Sequence, residues 1–212
     1  MLACGAGVDI WAAAKRNWER GGVRAPTDGD LRDADDEALR VSAAVGDREA
    51  FDAIVTRYGP VLYRYARRML ASEADVADVV QDTFVAAWRQ IAGFRGSSSL
   101  RTWLFSICYR KIADTHRLKR ANPVEDWVLE PLAGPDTAAD PFTAASNAAF
   151  LDALEVALGE LPVRQRAVWM MREIELMTFP EIGEVLQLSP DAVRGHHIRA
   201  TKALRVLLRR WQ

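Results

Sequence analysis

Residues 178–194 read TFPEIGEVLQLSPDAVR, a stretch with two helix starts separated by a tight turn. Thr178 can cap the first helix and form a capping box with the glutamate three residues on. Ser189 can cap the second helix, and Pro190 suits its first turn. Gly183 lets the helices cross closely, and the apolar wedge between them comprises Ile182, Leu186, Leu188 and Val193. The segment therefore predicts a helix-turn-helix, which typically binds DNA.

Charge is unevenly distributed along the chain. The 212 residues include 28 basic and 29 acidic side chains, but residues 101–120 and 188–212 each hold six basic residues against one acidic residue. Residues 121–163 hold eight acidic residues and neither Lys nor Arg. Two basic patches separated by an acidic span are expected of a protein that contacts one polyanion in two places.

Other functional classes find little support in the sequence. Cys4 and Cys108 are far apart and fit neither a disulfide framework nor a zinc motif, so we expect no metal and no cofactor. The adjacent His196 and His197 would point about 100° apart on a helix and could not readily share a metal. No apolar run is long enough to cross a membrane, and no signal peptide is recognisable. We therefore expect a cytoplasmic protein without membrane insertion.

Helical periodicity begins near Glu37, after a weakly structured extension over residues 1–36 in which residues 10–18 could form a short helix. Residues 49–70 place apolar and aromatic side chains at helical spacing, and we expect these side chains to form core. The Gly59-Pro60 pair indicates either a kink in one helix or a break between two.

The next helix is predicted to run from a capping box at Ser72 to about Ile91. Its broad core face comprises Val76, Val79, Val80, Phe84, Ala87, Trp88 and Ile91. The opposite, narrow stripe comprises Asp75, Asp78, Asp82, Val85 and Arg89. Like charges at this spacing cost a helix about 0.2–0.5 kcal/mol per pair, so we expect a basic partner to relieve them.

A Gly/Ser loop over residues 93–99 leads into a helix that starts near Leu100. Trp103, Leu104 and Ile107 share a face of this helix and are expected to be core. A second face comprises Phe105, Tyr109, Ile112 and His116. Aromatic and cationic side chains beside such a loop are typical of single-stranded nucleic-acid binding, because bases stack on rings while phosphates meet cations.

The expected fold is all-α, with two small helical domains joined by a flexible acidic linker. The first domain covers residues 37–120 and the linker residues 121–148, where Pro, Gly and Asp indicate turns. The second domain covers residues 149–212. Its helices are predicted over residues 150–161 and from Leu161-Pro162 onward, the latter burying Ala167, Val168, Met171 and Ile174 before the helix-turn-helix.

Several motifs in fixed order resemble the extracytoplasmic-function sigma factors, group 4 of the major bacterial sigma factor family. The motifs are residues 75–84 (DVADVVQDTF), Phe94-Arg95-Gly96, Trp103-Leu104, Ile107, Asp114, residues 161–166 (LPVRQR) and the helix-turn-helix. The resemblance covers about residues 37–210. It implies a dissociable initiation subunit, not an enzyme, that gives bacterial RNA polymerase its promoter choice. The implied partners are the clamp helices and flap of core polymerase and promoter DNA. The family is often held inactive by an anti-sigma factor, which the sequence does not identify.

Three sets of contact residues follow from the resemblance. The segment that binds core polymerase matches Asp75, Asp78, Gln81, Asp82 and Arg89. The residues implied at the minus-ten element, where a flipped base is captured, are Phe94, Arg95, Ser97, Ser98, Ser99, Arg101, Arg110, Lys111, Arg117, Lys119 and Arg120. The residues implied at the minus-thirty-five element are Asp191, Arg194, Gly195, Ile198, Arg199 and Lys202, on the face opposite Val193, His197, Ala200, Leu204 and Leu208.

The chain departs from the family pattern at a few of these positions. Arg110 replaces a common Asn, and Asp191-Ala192 replaces Gly-Thr at the start of the recognition helix. His197 replaces an apolar residue on the inner face, and Gly195 lies within a helix at a cost of about 1 kcal/mol relative to Ala. The promoter sequences are therefore not predicted.

Two other functions compete with this interpretation. A stand-alone dimeric helix-turn-helix regulator would explain residues 178–194 but neither the acidic stripe nor the Gly/Ser loop. A helical adaptor that binds only proteins would not require two basic patches. A regulator should bind duplex DNA alone, whereas a sigma factor should require core polymerase.

Overall fold

The computed structural model describes the backbone of residues 35–121 and 141–209, and the side chains of residues 35–118 and 149–209. Within these ranges the regular structure is entirely helical, as predicted. Two compact units are present: residues 35–67 with 72–114, and residues 68–71 with those from 115 onward. The residue 10–18 helix and most of the predicted linker lie outside the described residues.

Eight α-helices and two short irregular turns make up the described chain. In order they are α1 (Asp36–Ala44), α2 (Arg48–Met69), α3 (Glu73–Gln90), a 3-10 turn (Ile91–Gly93), α4 (Leu100–Ala121), α5 (Pro141–Gly159), α6 (Val163–Trp169), a π-helical turn (Met170–Ile174), α7 (Phe179–Leu186) and α8 (Pro190–Leu207).

Helix α1 begins one residue before the predicted start of the first domain. Asp36, assigned above to the weakly structured extension, is the first residue of α1. Its carboxylate accepts hydrogen bonds from Arg57 Nη1 at 2.6 Å and from the Tyr58 hydroxyl, both on α2. Burial and the bond to Asp36 raise the pKa of Tyr58. These contacts give α1 a fixed place on α2.

Helix α2 is continuous, so the predicted alternative of two separate helices is wrong. Pro60 lies inside a helix of 22 residues. The neighbours on both sides bury large side chains, including Ile54, Leu62 and Tyr65. Because most helical stability comes from packing, this burial offsets the hydrogen bond that Pro60 cannot donate.

Helix α4 buries residues of both predicted faces. Leu104 and Ile107 are core, as expected, but Phe105 and Ile112 on the second face are also fully buried. The Phe105 ring packs 5.2 Å from Tyr65 of α2. Phe105, one of the aromatic side chains considered for base stacking, is therefore not accessible to a base. Cys108 between them is buried and carries a free thiol.

One residue of the core face predicted for α3, Trp88, is not buried. Val76, Val79, Val80, Phe84, Ala87 and Ile91 are buried, but Trp88 is 38% exposed. Its ring packs edge-to-face with the Phe51 ring, with centroids 4.9 Å apart. Ser72 caps the helix by accepting from the Asp75 backbone N–H.

The second unit begins its helices earlier than predicted. Helix α5 starts at Pro141, so residues 141–148, assigned to the linker, are helical. The Asp140-Pro141 pair was interpreted as a turn, but proline is also favoured in the first turn of a helix. The residues that follow are rich in alanine, which favours helix.

A π-helical turn displaces one predicted core residue. Ala167, Val168 and Met171 are buried as expected, whereas Ile174 is 43% exposed. The turn at residues 170–174 follows α6 directly, and the Glu175 N–H donates to the Met170 carbonyl. This five-residue spacing changes the helical phase, so the extrapolated face no longer applies at Ile174.

The helix-turn-helix has the predicted geometry. Thr178 and Glu181 form the capping box, and Ser189 accepts from the Ala192 N–H. Gln187 adopts left-handed backbone at φ 55° between the helices. A Cβ at Gly183 would lie 2.6 Å from the Leu188 carbonyl oxygen, so only glycine fits this crossing.

Candidate functional site

The name acidic stripe is used from here on for four residues of α3: Asp75, Asp78, Gln81 and Asp82. Asp78 and Asp82 are exposed, while Asp75 and Gln81 are half-buried. Asp82 Oδ2 lies 3.2 Å from Lys111 Nζ on α4. This exposed ion pair contributes little stability. It does relieve part of the repulsion between the carboxylates, which was expected above to be relieved by a basic partner.

An open cleft lies where α3 ends and α4 begins. Its volume is about 590 Å³, and it is lined by Arg89, Gln90, Gly93, Phe94, Arg95, Ser97 and Trp103. Arg89, placed with the acidic stripe from sequence, thus borders the cleft. Phe94, Arg95 and Ser97 are residues that the sequence analysis assigned to the minus-ten element.

A stacked aromatic pair forms one wall of the cleft. The rings of Phe94 and Trp103 are nearly parallel, 8° apart, with centroids 4.6 Å from each other. Phe94 is buried by this contact, whereas Trp103, expected to be core, is only half-buried. An aromatic wall beside arginines suits a flat, polar ring with attached phosphates.

Three residues that line the cleft were not predicted as site residues from the sequence: Gln90, Gly93 and Trp103. Trp103 lies in the first turn of α4, directly after the loop, and that position was the available signal. A residue at a helix start borders the preceding loop as well as the core.

Other residues predicted at the minus-ten element have local roles. Ser99 Oγ accepts from the Thr102 N–H at 3.0 Å near the start of α4. The Arg101 guanidinium lies 5.5 Å from the Phe105 ring. Arg110 donates to the Ser106 carbonyl, and Arg117 is exposed. Ser98 is half-buried. The side chains of Lys119 and Arg120 lie outside the described residues.

One residue that holds the cleft was not predicted at all. Arg40 of α1 donates from Nη1 to the Phe94 carbonyl at 2.8 Å, and it pairs with Glu37 on its own helix. The hydrogen bonds from Arg40 hold the pKa of Glu37 below its ordinary value. A contact between residues 54 positions apart leaves no periodic signal in the sequence.

The outward face of α8 agrees with the sequence analysis. Asp191, Arg194, Arg199 and Lys202 are exposed, as is Ile198 at 60%, and Gly195 is half-buried. Their inner counterparts Val193, Ala200 and Leu204 are buried. The helix therefore presents a mostly basic surface beside the turn of the helix-turn-helix.

Three side chains pack around the ring of Phe179 at the start of α7. The guanidinium groups of Arg172 and Arg194 lie 4.9 and 5.3 Å from its ring, and the His197 ring lies 5.7 Å away. Arg194 also pairs with Asp191 at 2.5 Å. Aromatic and carboxylate contacts thus restrict Arg194, the arginine predicted from the sequence to read a base.

The two adjacent histidines have different surroundings. His197 Nε2 lies 2.7 Å from Glu173 Oε1, so this departure from the family pattern is satisfied within the fold. Burial lowers the pKa of His196, and Arg199 and Arg164 act in the same direction. The imidazole of His197 therefore pairs with a carboxylate, whereas that of His196 lies near two arginines.

Neither a metal-binding cluster nor a membrane-spanning helix is present among the described residues. Across residues 35–121 and 141–209 no group of three His, Cys, Asp or Glu side chains could hold a metal ion. None of the helices described there combines the length and apolar character that a membrane crossing requires.

The geometry defines a helical DNA-binding protein with a helix-turn-helix in one unit and an aromatic, arginine-lined cleft in the other. Residues 54–122 match the family description Sigma-70 region 2, and residues 151–204 match Sigma-70, region 4. The chain belongs to the extracytoplasmic-function sigma factors, group 4 of the major bacterial sigma factor family. It is an alternative sigma factor that associates with core RNA polymerase and promoter DNA and directs transcription initiation.

The matches to individual relatives extend over most of the chain. The chain is 38% identical to the RNA polymerase sigma factor CnrH of Cupriavidus metallidurans, over 82% of this chain and 94% of CnrH. It is 33% identical to the sigma factor NccH of Alcaligenes xylosoxydans xylosoxydans, over 82% of this chain and 94% of NccH. A solved structure of CnrH in complex with the cytosolic domain of CnrY matches with a TM-score of 0.60 and 35% identity, covering 84% of this chain and 97% of that chain.

Proposed function

We propose that three surfaces divide the work of this sigma factor: the acidic stripe binds core polymerase, the cleft captures a base of the minus-ten element, and α8 reads the minus-thirty-five element. The observation that carries the proposal is that α3 contributes to two of them. Its exposed face holds Asp78 and Asp82, and its end supplies Arg89 and Gln90 to the cleft. One rigid helix then couples polymerase binding to promoter opening.

The acidic stripe suits a basic and polar partner such as the polymerase clamp helices. Asp78 and Asp82 are one helical turn apart and exposed, and Gln81 beside them adds a neutral hydrogen-bonding group. Lys111 pairs with Asp82 at 3.2 Å. A basic partner could therefore bind Asp78 directly and compete for Asp82.

The cleft suits a nucleobase that has left the duplex. Unstacking a base costs a few kcal/mol, and stacking on an aromatic wall with phosphate contacts can offset this cost. Phe94 and Trp103 supply the wall, while Arg89, Arg95 and Ser97 supply polar groups at the rim. Arg101, Arg110, Lys111, Arg117, Lys119 and Arg120 are proposed to contact neighbouring phosphates, with Ser98 and Ser99 shaping the loop.

The helix-turn-helix is proposed to place α8 in the major groove of the minus-thirty-five element. Arg194 is the best candidate for a guanine edge, because arginine can donate two parallel hydrogen bonds there. Arg199 and Lys202, farther along α8, would contact the backbone. Asp191, Gly195 and Ile198 complete this face, and the same unit is proposed to dock on the polymerase flap.

Regulation and location follow from the relatives. CnrH has been solved in complex with the cytosolic domain of CnrY. We infer that this chain is likewise held by an anti-sigma partner and works in the cytoplasm, where core polymerase is found. Residues 37–120 and 149–212 are proposed as its polymerase-binding and DNA-reading domains, with residue 141 as the revised start of the second.

The test combines Asp78→Arg with Asp82→Arg and measures affinity for purified core polymerase. Reversed charges should repel the basic partner, so affinity should fall at least about 100-fold, as expected when like charges are opposed across an interface. Circular dichroism should be unchanged because both residues are exposed.

The matched control combines Asp35→Arg with Glu49→Arg, two exposed acids of the same unit that lie outside the stripe and give the same change of net charge. It should retain affinity for core polymerase. Equal affinities for both double variants would contradict the proposed role of the stripe. Specific binding of the unmodified chain to duplex promoter DNA without polymerase would instead support the dimeric regulator.

A further inference from the structure

We propose that Arg40 on α1 is a positioning residue that holds the wall of the minus-ten cleft in place for base capture. This inference rests on the proposed function of the cleft and adds a residue from outside it. Arg40 is not among the side chains that line the cleft, so it would act through Phe94.

The contact between Arg40 and Phe94 has two parts. Arg40 Nη1 donates to the Phe94 carbonyl oxygen at 2.8 Å, and the guanidinium carbon lies 5.9 Å from the Phe94 ring centroid. The Arg40 side chain is only 15% exposed. A charged donor in a partly buried setting makes a stronger hydrogen bond than a neutral one. Arg40 therefore fixes both the backbone and the ring of Phe94.

Glu37 fixes the direction of the Arg40 guanidinium. Arg40 Nε donates to Glu37 Oε2 at 2.8 Å, and Nη2 donates to Oε1 at 2.5 Å. Two parallel bonds leave the planar group a single orientation. The remaining nitrogen, Nη1, then points at the loop. A lysine could keep one of these bonds but not the fork.

The loop after Phe94 is shaped around the same arginine. Gly96 has left-handed backbone at φ 70°, and a Cβ there would lie 3.6 Å from Arg40 Nε. At the other end of the loop Ser99 is fixed to the start of α4. Arg40 and Ser99 thus hold the two ends of a segment whose exposed residues, Arg95 and Ser97, line the cleft.

Loss of the guanidinium should affect one step of initiation selectively. Without Arg40 the Phe94 carbonyl loses its donor, and the stacked Phe94–Trp103 wall can move. A mobile wall must be ordered when the base arrives, so capture becomes less favourable. The acidic stripe contains neither Arg40 nor Phe94, and its Asp82 pairs with Lys111. Promoter opening should therefore slow while polymerase binding is unchanged.

The experiment compares holoenzymes carrying the unmodified chain, Arg40→Met, Arg40→Lys and Arg57→Met. Opening is followed by the fluorescence of 2-aminopurine placed in the minus-ten element of a promoter that the unmodified holoenzyme transcribes. Arg57→Met is the matched control, because Arg57 also joins α1 to α2 through Asp36 but does not line the cleft. Core affinity and thermal unfolding are measured in parallel.

We expect Arg40→Met to slow opening by about tenfold, as the loss of one charge-assisted hydrogen bond predicts, with core affinity unchanged. Arg40→Lys should recover part of the rate. A promoter with a mismatched, already open minus-ten element should still bind Arg40→Met more weakly, because capture itself is impaired. Arg57→Met should open the duplex at the unmodified rate.

Two results would overturn the inference. Equal defects in Arg40→Met and Arg57→Met would show that Arg40 only secures α1. Unmodified opening by Arg40→Met would show that the contact has no function. Arg95→Ala separates the inference from the cleft proposal: if Arg95→Ala is defective and Arg40→Met is normal, only Arg40 fails. If neither variant is defective, the cleft proposal fails as well.

Discussion

The contacts that stabilise the helix-turn-helix join residues close in sequence, whereas those that stabilise the cleft join residues far apart in sequence. In the helix-turn-helix, Thr178 bonds to Glu181 and Gly183 packs on Leu188, so the partners are three to five residues apart. In the cleft, the Phe94 carbonyl is held by a residue 54 positions earlier. The first geometry is fixed by neighbours in sequence. The second depends on where α1 packs.

This difference makes the cleft the more vulnerable of the two. Helix α1 has nine residues, too few to be stable alone in water. It is held mainly by its buried side chains, Leu39 and Ala43, whereas the partly exposed Asp36–Arg57 pair adds little. Loss of the buried packing should therefore reach the cleft, while the helix-turn-helix should be unaffected.

The largest expected effect comes from Leu39→Ala, which removes a side chain that is 1% exposed. The cavity should lower the free energy of unfolding by about 2–5 kcal/mol. Urea unfolding of the full chain would measure this loss. Hydrogen exchange should show faster exchange at Trp103 and unchanged exchange at Val193, because only the first unit depends on α1.

Val41→Ala is the matched control on the same helix. Val41 is 49% exposed, so its truncation should change the free energy of unfolding by less than about 0.5 kcal/mol. If Leu39→Ala accelerated exchange equally at Trp103 and Val193, the contrast between the two regions would be lost.

A smaller effect is expected from Gly183→Ala, which tests the local side of the contrast. The added Cβ would lie 2.6 Å from the backbone oxygen of Leu188, so the helices must separate. Overpacking of this kind costs about 1–3 kcal/mol. Hydrogen exchange should accelerate at Val193 and stay unchanged at Trp103, the reverse of the Leu39 result.

Gly195→Ala provides the control for this substitution. A Cβ there would meet only the flexible end of Arg199 at 3.4 Å, so it should stabilise α8 by about 0.5–1 kcal/mol through helix propensity. A Gly183→Ala variant with unchanged stability and native hydrogen exchange would show that the crossing of α7 and α8 has room for a methyl group.

The same contrast explains which elements could be predicted from the sequence. The caps of α7 and α8 and the fit of Gly183 were predictable, since each signal lies within a few residues of its effect. The exposure of Ile174 was not, because a π-helical turn changed the helical phase after α6. Periodicity extrapolates a regular helix and does not detect an inserted residue.

The candidate site shows the same limit. The exposed face of α8 followed from helical geometry, and the loop residues Arg95 and Ser97 followed from the family resemblance. Trp103 and Arg40 did not, because their contacts with Phe94 arise only when α1, the loop and α4 meet in space. Residues that support a site from another helix carry no spacing signal.

The smallest effect is expected from Arg194→Ala, which tests whether a locally held side chain also reads DNA. Loss of one guanine contact typically costs about 1–3 kcal/mol. We expect the lower end, about 1 kcal/mol, because Arg194 must first leave Asp191 and Phe179. Transcription by the holoenzyme should be compared on promoters with each base at every position of the minus-thirty-five element.

Arg205→Ala removes the same charge from α8 outside the proposed reading face. It should weaken all promoters evenly, since a general loss of positive charge affects phosphate attraction and not base choice. Arg194→Ala should instead relax the preference at one position. A uniform loss from both variants would reassign Arg194 to the DNA backbone. Its contacts with Asp191 and Phe179 would then serve to hold the turn of the helix-turn-helix, leaving base recognition to residues farther along α8.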